Sequence, residues 1–142
     1  MVSVKDVERE CAALRTRMAA RKVTRAYDEA LRPLGLKVTQ FTLLVAIKRG
    51  APDSISRLAD NLALERTTLT RNLQRLEKDG LIEIGPEGYR RARSLRLTER
   101  GEARLEQALP IWRTIQDRLV AELGRVRWED AKLLLNDLTQ AT

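Results

Sequence analysis

The sequence predicts a mainly α-helical fold of the α+β class, in which two short strands interrupt a series of helices. Apolar residues recur at helical spacing over most of the 142 residues, and glycine or proline follows each helical stretch. The alternation typical of strands is confined to residues 81–84 and 95–97. With 43% hydrophobic and 33% charged residues, the chain is expected to fold as one domain, 1–142, around its own core.

Two helices are predicted before the centre of the chain. The first runs over residues 4–31 and ends near Pro33 and Gly35. The second runs over residues 39–48, with Thr39 as its N-cap.

The central segment, residues 54–98, begins with two short helices at a tight turn. Ser54 or Asp53 can cap the first helix, Ala63 lies in the turn, and Gly80 ends the second. This order is that of a helix-turn-helix.

The second of these helices divides into two faces. Leu69, Leu73 and Leu76 fall at i, i+4 and i+7 and form one apolar stripe. The far side carries hydroxyls, an amide and cations: Thr67, Thr70, Arg71, Gln74 and Lys78. Such groups can exchange hydrogen bonds with base edges and phosphates. The helix is therefore predicted to be a recognition helix for DNA.

Strands 81–84 and 95–97 are predicted to pair as a two-stranded wing around a loop, 85–93. Residues 90–96 hold four arginines and no acid: Arg90, Arg91, Arg93 and Arg96. The net charge of +7 for the whole chain also suits a polyanionic partner. The segment therefore predicts a winged helix-turn-helix that binds double-stranded DNA.

Two further helices are predicted after the wing. Thr98 caps a long helix that ends at Gly124, and Pro110 inside it should kink the helix or remove one backbone hydrogen bond. Heptad spacing along the long helix joins Leu105, Leu109, Trp112, Leu119 and Leu123. A final helix from about Trp128 is predicted to bury Ala131, Leu134, Leu135 and Leu138.

Apolar faces at both ends of the chain exceed what a small winged-helix core can bury. We call the following residues the terminal seams: Val7, Cys11, Leu14, Met18, Leu119, Leu123, Leu134 and Leu138. Faces with this spacing pack along another helix, so a homodimer would cover them. A two-fold dimer could read two half-sites roughly 34–36 Å apart. An intramolecular bundle around the winged domain is the alternative.

The composition excludes several kinds of site. One cysteine and no histidine exclude a Cys/His zinc site, a disulfide within the chain and histidine-dependent catalysis. Neither a P-loop nor a GxGxxG turn is present, and neighbouring acids such as Asp28 and Glu29 point apart on a helix. We therefore expect no enzymatic activity, no cofactor and no metal.

Membrane insertion is not expected either. The apolar runs are too short to span a bilayer, and charges from Lys5 to Glu10 exclude the apolar region of a signal peptide. A cytoplasmic protein is the expectation.

The chain resembles the MarR family of bacterial transcriptional regulators along nearly its whole length. Three segments carry the resemblance: ALRPLGLKVTQFTLL at 30–44, SISRLADNLALERTTLTRNLQRLEKDGLIE at 54–83 and RRARSLRLTERG at 90–101. The resemblance implies a triangular homodimer, with 1–36 and 99–142 as dimerisation helices and 38–98 as the winged helix-turn-helix. It also implies a repressor on a pseudo-palindromic operator, released by a small molecule or an oxidant.

The resemblance places the DNA contacts on the recognition helix, the helix before it and the wing. The candidates are Ser56, Arg66, Thr67, Thr68, Thr70, Arg71, Asn72, Gln74, Arg75, Arg90, Arg91 and Arg93. Arg71 has little reason to face outward unless it binds DNA, whereas Asn72 lies nearer the apolar stripe and could only brace the helix. Arg96 and Lys78 could be solvated surface.

The wing departs from the family pattern at Tyr89. Many members carry an aspartate there, which can pair with an arginine and shape the loop. That brace is lost here unless Glu87 supplies it, and Tyr89 could instead stack on a sugar or donate to a phosphate.

The resemblance implies an effector site in the cleft between the dimerisation helices and the winged domain. Tyr27, Phe41 and Trp112 are the aromatic residues placed to line it, and a small phenolic or other hydrophobic molecule would suit them. All three could equally belong to the core.

Two alternatives remain open. One is a sensor of organic peroxides switched through Cys11. The sensing cysteine of such relatives corresponds to Ala13, about 200° round the helix from Cys11, and Arg15 is the only local cation that could favour a thiolate. The other is a helical protein-interaction module that does not bind DNA.

Overall fold

The computed structural model describes residues 1–52, 54–85 and 94–142. Within them the chain forms α1 (Val4–Glu10), α2 (Ala12–Leu31), a 3-10 turn (Arg32–Leu34), α3 (Val38–Arg49), α4 (Ile55–Asn61), α5 (Arg66–Lys78), β1 (Ile82–Ile84), β2 (Leu95–Leu97), α6 (Glu99–Leu123) and α7 (Arg125–Ala141). The prediction of a mainly helical winged fold with one two-stranded sheet is confirmed.

The core lies where α3, α4 and α5 meet the sheet and the start of α6. Its largest fully buried side chains are Leu31, Leu43, Leu44, Ile55, Leu58, Leu69, Leu73, Leu76, Leu81 and Ile82. Burying a leucine or isoleucine side chain contributes about 1.5–3 kcal/mol, so this cluster supplies most of the driving force for folding of the winged region.

The two strands pair antiparallel, with Ile82 opposite Leu97 and Ile84 opposite Leu95. Ile82 and Leu95 are buried in the core. Between them Glu83 faces Arg96 on the exposed side of the sheet. The alternation thus gives the sheet one apolar face and one charged face.

A close contact joins the start of α6 to the chain just after α5. A Cβ atom on Gly101 would lie 2.0 Å from the carbonyl oxygen of Leu81, so only glycine fits there. The Thr98 hydroxyl donates to the Gly80 carbonyl at 2.6 Å and accepts from the Gly101 N–H at 3.0 Å. The Thr98 N–H donates to the Leu81 carbonyl at 3.0 Å. This set of contacts, the Gly101 junction, confirms Thr98 as the cap of α6.

The first helix is not continuous as predicted, because it breaks at Cys11. That residue has φ −65° and ψ 112°, which ends α1 and begins α2. No residue of α1 is buried within the chain, so no packing holds the two helices in line. The Arg15 guanidinium donates to the Arg9 carbonyl at 2.8 Å and satisfies one acceptor that the broken helix leaves free.

The prediction that Thr39 caps the second helix is also wrong. Helix α3 begins one residue earlier, and the Asp28 carboxylate accepts from the Val38 N–H at 2.8 Å. The Gln40 side chain accepts from the Lys37 N–H at 3.0 Å. An acid ten residues back in the sequence thus supplies the cap.

Two predictions for the C-terminal helices need correction. Helix α6 runs through Pro110 to Leu123 and buries Gly101, Leu105, Ala108, Ile115 and Val120, whereas Leu109 and Leu123 of the predicted heptad are exposed. Gly101, Leu105, Ala108 and Ile115 are spaced by four, three and seven residues, so the buried face of α6 includes Ala108 and Ile115 in place of Leu109 and Leu123.

Helix α7 begins at Arg125 and not at Trp128, because Gly124 takes φ +88° and turns the chain at once. It buries no residue within the chain. Leu134, Leu135 and Leu138 are exposed and Ala131 is half-buried.

Across the described ranges, no single helix is long and apolar enough to cross a membrane. Ala12–Leu34 and Val38–Arg49 meet the length and composition criterion only as a pair, and that pair is bent by 76°.

Substitution of Gly101 by alanine should destabilise the fold by about 3 kcal/mol, because the new Cβ would overlap the Leu81 carbonyl. Alanine otherwise stabilises a helix relative to glycine by about 1 kcal/mol. Urea unfolding followed by circular dichroism measures the change. Ala103→Gly at an exposed position of α6 is the matched control and should cost about 1 kcal/mol. A Gly101→Ala protein more stable than wild type would contradict the contact.

The contact of α2 with α6 should make stability depend on pH in the alkaline range. The Tyr27 hydroxyl donates to the Gln116 side chain, and burial raises the pKa of Tyr27 above its ordinary value. The folded state therefore resists ionisation of the Tyr27 hydroxyl. The contribution of the neutral hydroxyl to the free energy of unfolding is complete below about pH 10 and is lost as the pH rises through the folded pKa. Urea midpoints from pH 8.5 to 11 should fall more steeply in wild type than in Tyr27→Phe. Equal slopes of urea midpoint against pH in the two proteins would show that folding does not hinder ionisation of Tyr27.

Candidate nucleic-acid interface

The turn between α4 and α5 brings the two helices together at a close crossing. The Ser54 hydroxyl accepts from the Arg57 N–H at 3.1 Å, which confirms Ser54 as the cap of α4. Ala63 takes φ +52°, and the Leu64 N–H donates to the Ala59 carbonyl at 2.9 Å. Ala59 is buried, and its small side chain lets α5 approach. A non-glycine residue at positive φ costs about 1 kcal/mol or more, which the packing of the two helices offsets.

Helix α5 presents one face to the core and the other to solvent. Leu69, Leu73 and Leu76 are fully buried. The exposed residues of the helix are Arg66, Thr67, Arg71, Gln74, Arg75, Glu77 and Lys78, and the half-buried ones are Thr68, Thr70 and Asn72. Three buried leucines fix the rotation of α5 about its axis, so the same polar residues face outward in every molecule.

The first turn of α5 favours an anion. It contains no acidic residue, and its N-cap, Glu65, makes no side-chain hydrogen bond to the helix. Arg66 is exposed at the first position. Free N–H groups and the positive end of the helix dipole therefore point outward beside a cation, an arrangement that suits a phosphate.

The residues of α5 predicted to contact DNA differ in whether their side chains already make contacts within the protein. Asn72 donates to the Thr68 carbonyl at 3.0 Å, so it braces the helix. The Arg75 guanidinium donates to Asp79 at 3.3 Å. In the part of the chain that the structure describes, the Arg71 side chain makes neither an ion pair nor a hydrogen bond. Its guanidinium can thus meet a guanine edge or a phosphate without breaking an internal contact.

Helix α4 contributes a cation that sequence reasoning missed. Ser56 and Arg57 are both exposed in its first turn, and the Arg57 side chain has no ion pair within the described ranges. The signal was available, because Arg57 is the only cation between Gly50 and Glu65.

The three predicted wing contacts, Arg90, Arg91 and Arg93, lie outside the described residues. So does Tyr89, where the wing departs from the family pattern. Arg96 is exposed on β2.

The three aromatic residues proposed for an effector site lie in the packing between helices. Phe41 is buried in the core, and Tyr27 is buried with its hydroxyl on Gln116. Trp112 is half-buried, with the Arg113 guanidinium 4.8 Å from its ring centroid. A cavity of about 540 Å³ beside α2 and the start of α3 is lined by other residues. The aromatic effector site stays a prediction.

Comparison with known proteins agrees with this geometry. A family model described as the MarR family matches residues 34–92. An uncharacterized HTH-type transcriptional regulator of Bacillus cereus is 30% identical over 113 residues, which make up 80% of this chain and 74% of that protein.

Solved structures share the fold. The M. tuberculosis transcriptional regulator MosR in complex with DNA is 40% identical, with a TM-score of 0.80 over 93% of this chain and 96% of that chain. The transcriptional repressor CouR bound to p-coumaroyl-CoA has a TM-score of 0.84 over the whole of both chains. At 22% identity this second likeness shows the fold alone. These relatives are transcriptional regulators and not enzymes, which confirms the prediction that the chain is not an enzyme. The chain belongs to the MarR family of DNA-binding transcriptional regulators.

Proposed function

We propose that the protein is a homodimeric repressor that reads a pseudo-palindromic operator and is released by a small-molecule effector. The observation that carries the proposal is the outward polar face of α5, which three fully buried leucines hold in place. Such a regulator acts where bacterial DNA is, in the cytoplasm.

The dimer is supported by apolar side chains that the single chain leaves uncovered. Large hydrophobic residues are exposed at both ends: Val4, Val7, Leu14, Met18, Val23, Leu109, Leu123, Val126, Leu133, Leu134, Leu135 and Leu138. Cys11 and Leu119 of the terminal seams are half-buried. Helices α1 and α7 bury no residue within the chain, which speaks against the intramolecular bundle. Exposed patches of this extent are typical of an interface.

A dimer also suits sequence-specific binding to DNA. One short helix contacts few base pairs, so a two-fold pair that reads two half-sites gains contact and specificity. A small-molecule effector is compatible with this fold, since the repressor CouR, which shares it, is bound to p-coumaroyl-CoA.

The peroxide alternative is not favoured by the local geometry. Arg15, the cation predicted to favour a Cys11 thiolate, donates instead to the Arg9 carbonyl. The interaction-module alternative is disfavoured by the DNA-binding relatives.

Loss of the Arg71 guanidinium should weaken specific DNA binding without destabilising the fold. A bidentate contact to a base contributes about 1–3 kcal/mol and the proposed dimer makes it twice, so Arg71→Ala should lose affinity by about thirtyfold or more. Fluorescence anisotropy measures this on a duplex that the wild type enriches from fragments of the organism's genome. Arg118→Ala removes an exposed cation of α6 and should change affinity little. Equal affinity of the wild type and Arg71→Ala would reject Arg71 as a base contact.

A charge placed on α7 should separate the copies. Leu138→Glu would bury a carboxylate against an apolar partner surface, which disfavours association strongly. Sedimentation equilibrium should find twice the chain mass of 16.2 kDa for the wild type and one chain mass for the variant. Gln140→Glu adds the same charge one half-turn away and is the control. A monomeric wild type would refute the dimer.

A further inference from the structure

One row of exposed side chains on α5 lies opposite the three buried leucines. At about 100° per residue, its members fall within about 60° of one another and about 160° round the helix from the middle of the leucine stripe. Glu77, the acidic residue of α5, lies about 60° outside the row. We call this row, which carries no acid, the reading row: Thr67, Arg71, Gln74 and Lys78.

Arg71 and Gln74 occupy the centre of the reading row. They lie three residues apart, which is about 4.5 Å along the helix axis. Neighbouring bases of one DNA strand are about 3.4 Å apart. Two side chains at this spacing can therefore reach base pairs that are adjacent or that have one base pair between them.

The two ends of the row suit phosphates rather than bases. Thr67 lies in the first turn of α5, beside Arg66 and the free N–H groups of the helix end. Lys78 is the last residue of α5 and lies about 10 Å beyond Arg71. Its ammonium is a point charge without a fixed fork, so it suits a phosphate better than a base edge. Base contacts therefore fall to the two central side chains.

Internal contacts also separate these two side chains from their neighbours. Asn72 donates to the Thr68 carbonyl, and Arg75 pairs with Asp79. Among the residues that the structure describes, the Gln74 side chain finds no hydrogen-bond partner. Its amide therefore keeps two N–H donors and one carbonyl acceptor for an external partner.

We propose that Gln74 is a base-reading residue that selects adenine, in a base pair adjacent to, or one base pair removed from, a guanine that Arg71 selects. A glutamine amide presents a donor and an acceptor side by side, which match N7 and the N6 amino group of adenine in the major groove. A guanidinium presents two donors, which match O6 and N7 of guanine. The assignment rests on the proposed function and adds to it which bases each half-site holds.

Selection of bound duplexes from a random pool, run in parallel for wild type and variants, tests the assignment. Gln74→Ala should still enrich a pseudo-palindrome but lose its preference at one A·T pair in each half-site. Gln74→Glu should prefer cytosine in place of that adenine, because a carboxylate accepts from the N4 amino group of cytosine. Arg71→Ala should lose its preference at a G·C pair within two base pairs of that position. Gln140→Ala removes an exposed amide of α7 and should enrich the wild-type sequence.

Fluorescence anisotropy gives the same test for a variant that binds too weakly to be selected. The two duplexes are the enriched wild-type sequence and the same sequence with the A·T pair changed to G·C in both half-sites. The wild type should bind the changed duplex about thirtyfold or more weakly, because two bidentate contacts are lost. Gln74→Ala should bind both duplexes within about threefold of each other, since it lacks the discriminating amide. Gln74 is exposed, so the variant should keep the circular dichroism spectrum of the wild type.

Two results would overturn the assignment of Gln74 alone. The first is an enriched sequence that is the same for Gln74→Ala as for wild type, with affinity lowered equally on every duplex, which would place Gln74 on a phosphate. The second is a lost preference at a G·C pair, or at a pair more than two base pairs from the Arg71 position. A wild type that enriches no sequence would instead refute the proposed function and, with it, the assignment.

Discussion

The approach of Gly101 to the Leu81 carbonyl is the constraint on which the rest of the structure depends. It brings the N-terminus of α6 against the residues that leave α5 and enter β1. Thr98 then joins both sides, since its hydroxyl donates to Gly80 and accepts from Gly101. The polar groups at two helix ends and a strand start thereby satisfy one another, which lets them lie at a close, partly buried crossing.

This junction connects two parts of the chain with different tasks. Helix α5 carries the polar face that we propose reads DNA, while α6 packs along α2 and leads into α7. The Gly101 junction is short and hydrogen-bonded, so α6 and the chain that leaves α5 meet without a flexible linker. In the proposed dimer, a change at the terminal helices would therefore act on the distance between the two reading faces.

The sequence predicted the winged core well, because its periodicity is set by local burial: Leu69, Leu73 and Leu76 are all fully buried. It failed where the decisive contact joins distant residues. The Asp28 cap on Val38 has no periodic signal, and nothing in the spacing around Cys11 shows that the first helix breaks. The roles of the α5 side chains were left open for the same reason, since the Asn72 contact with a backbone carbonyl depends on its rotamer. The heptad drawn on α6 included two exposed residues, Leu109 and Leu123, because spacing alone does not distinguish neighbouring faces of a helix that contacts several elements.

The central claim is that a two-fold pair of α5 helices reads a defined DNA sequence. Selection of bound duplexes from a random pool tests it most directly, followed by sequencing of the enriched fragments. The account predicts one enriched pseudo-palindrome whose half-sites lie about 10–10.5 base pairs apart, centre to centre, or a multiple of that. A bound fraction with the same base composition as the starting pool, and no recurring sequence, would contradict it.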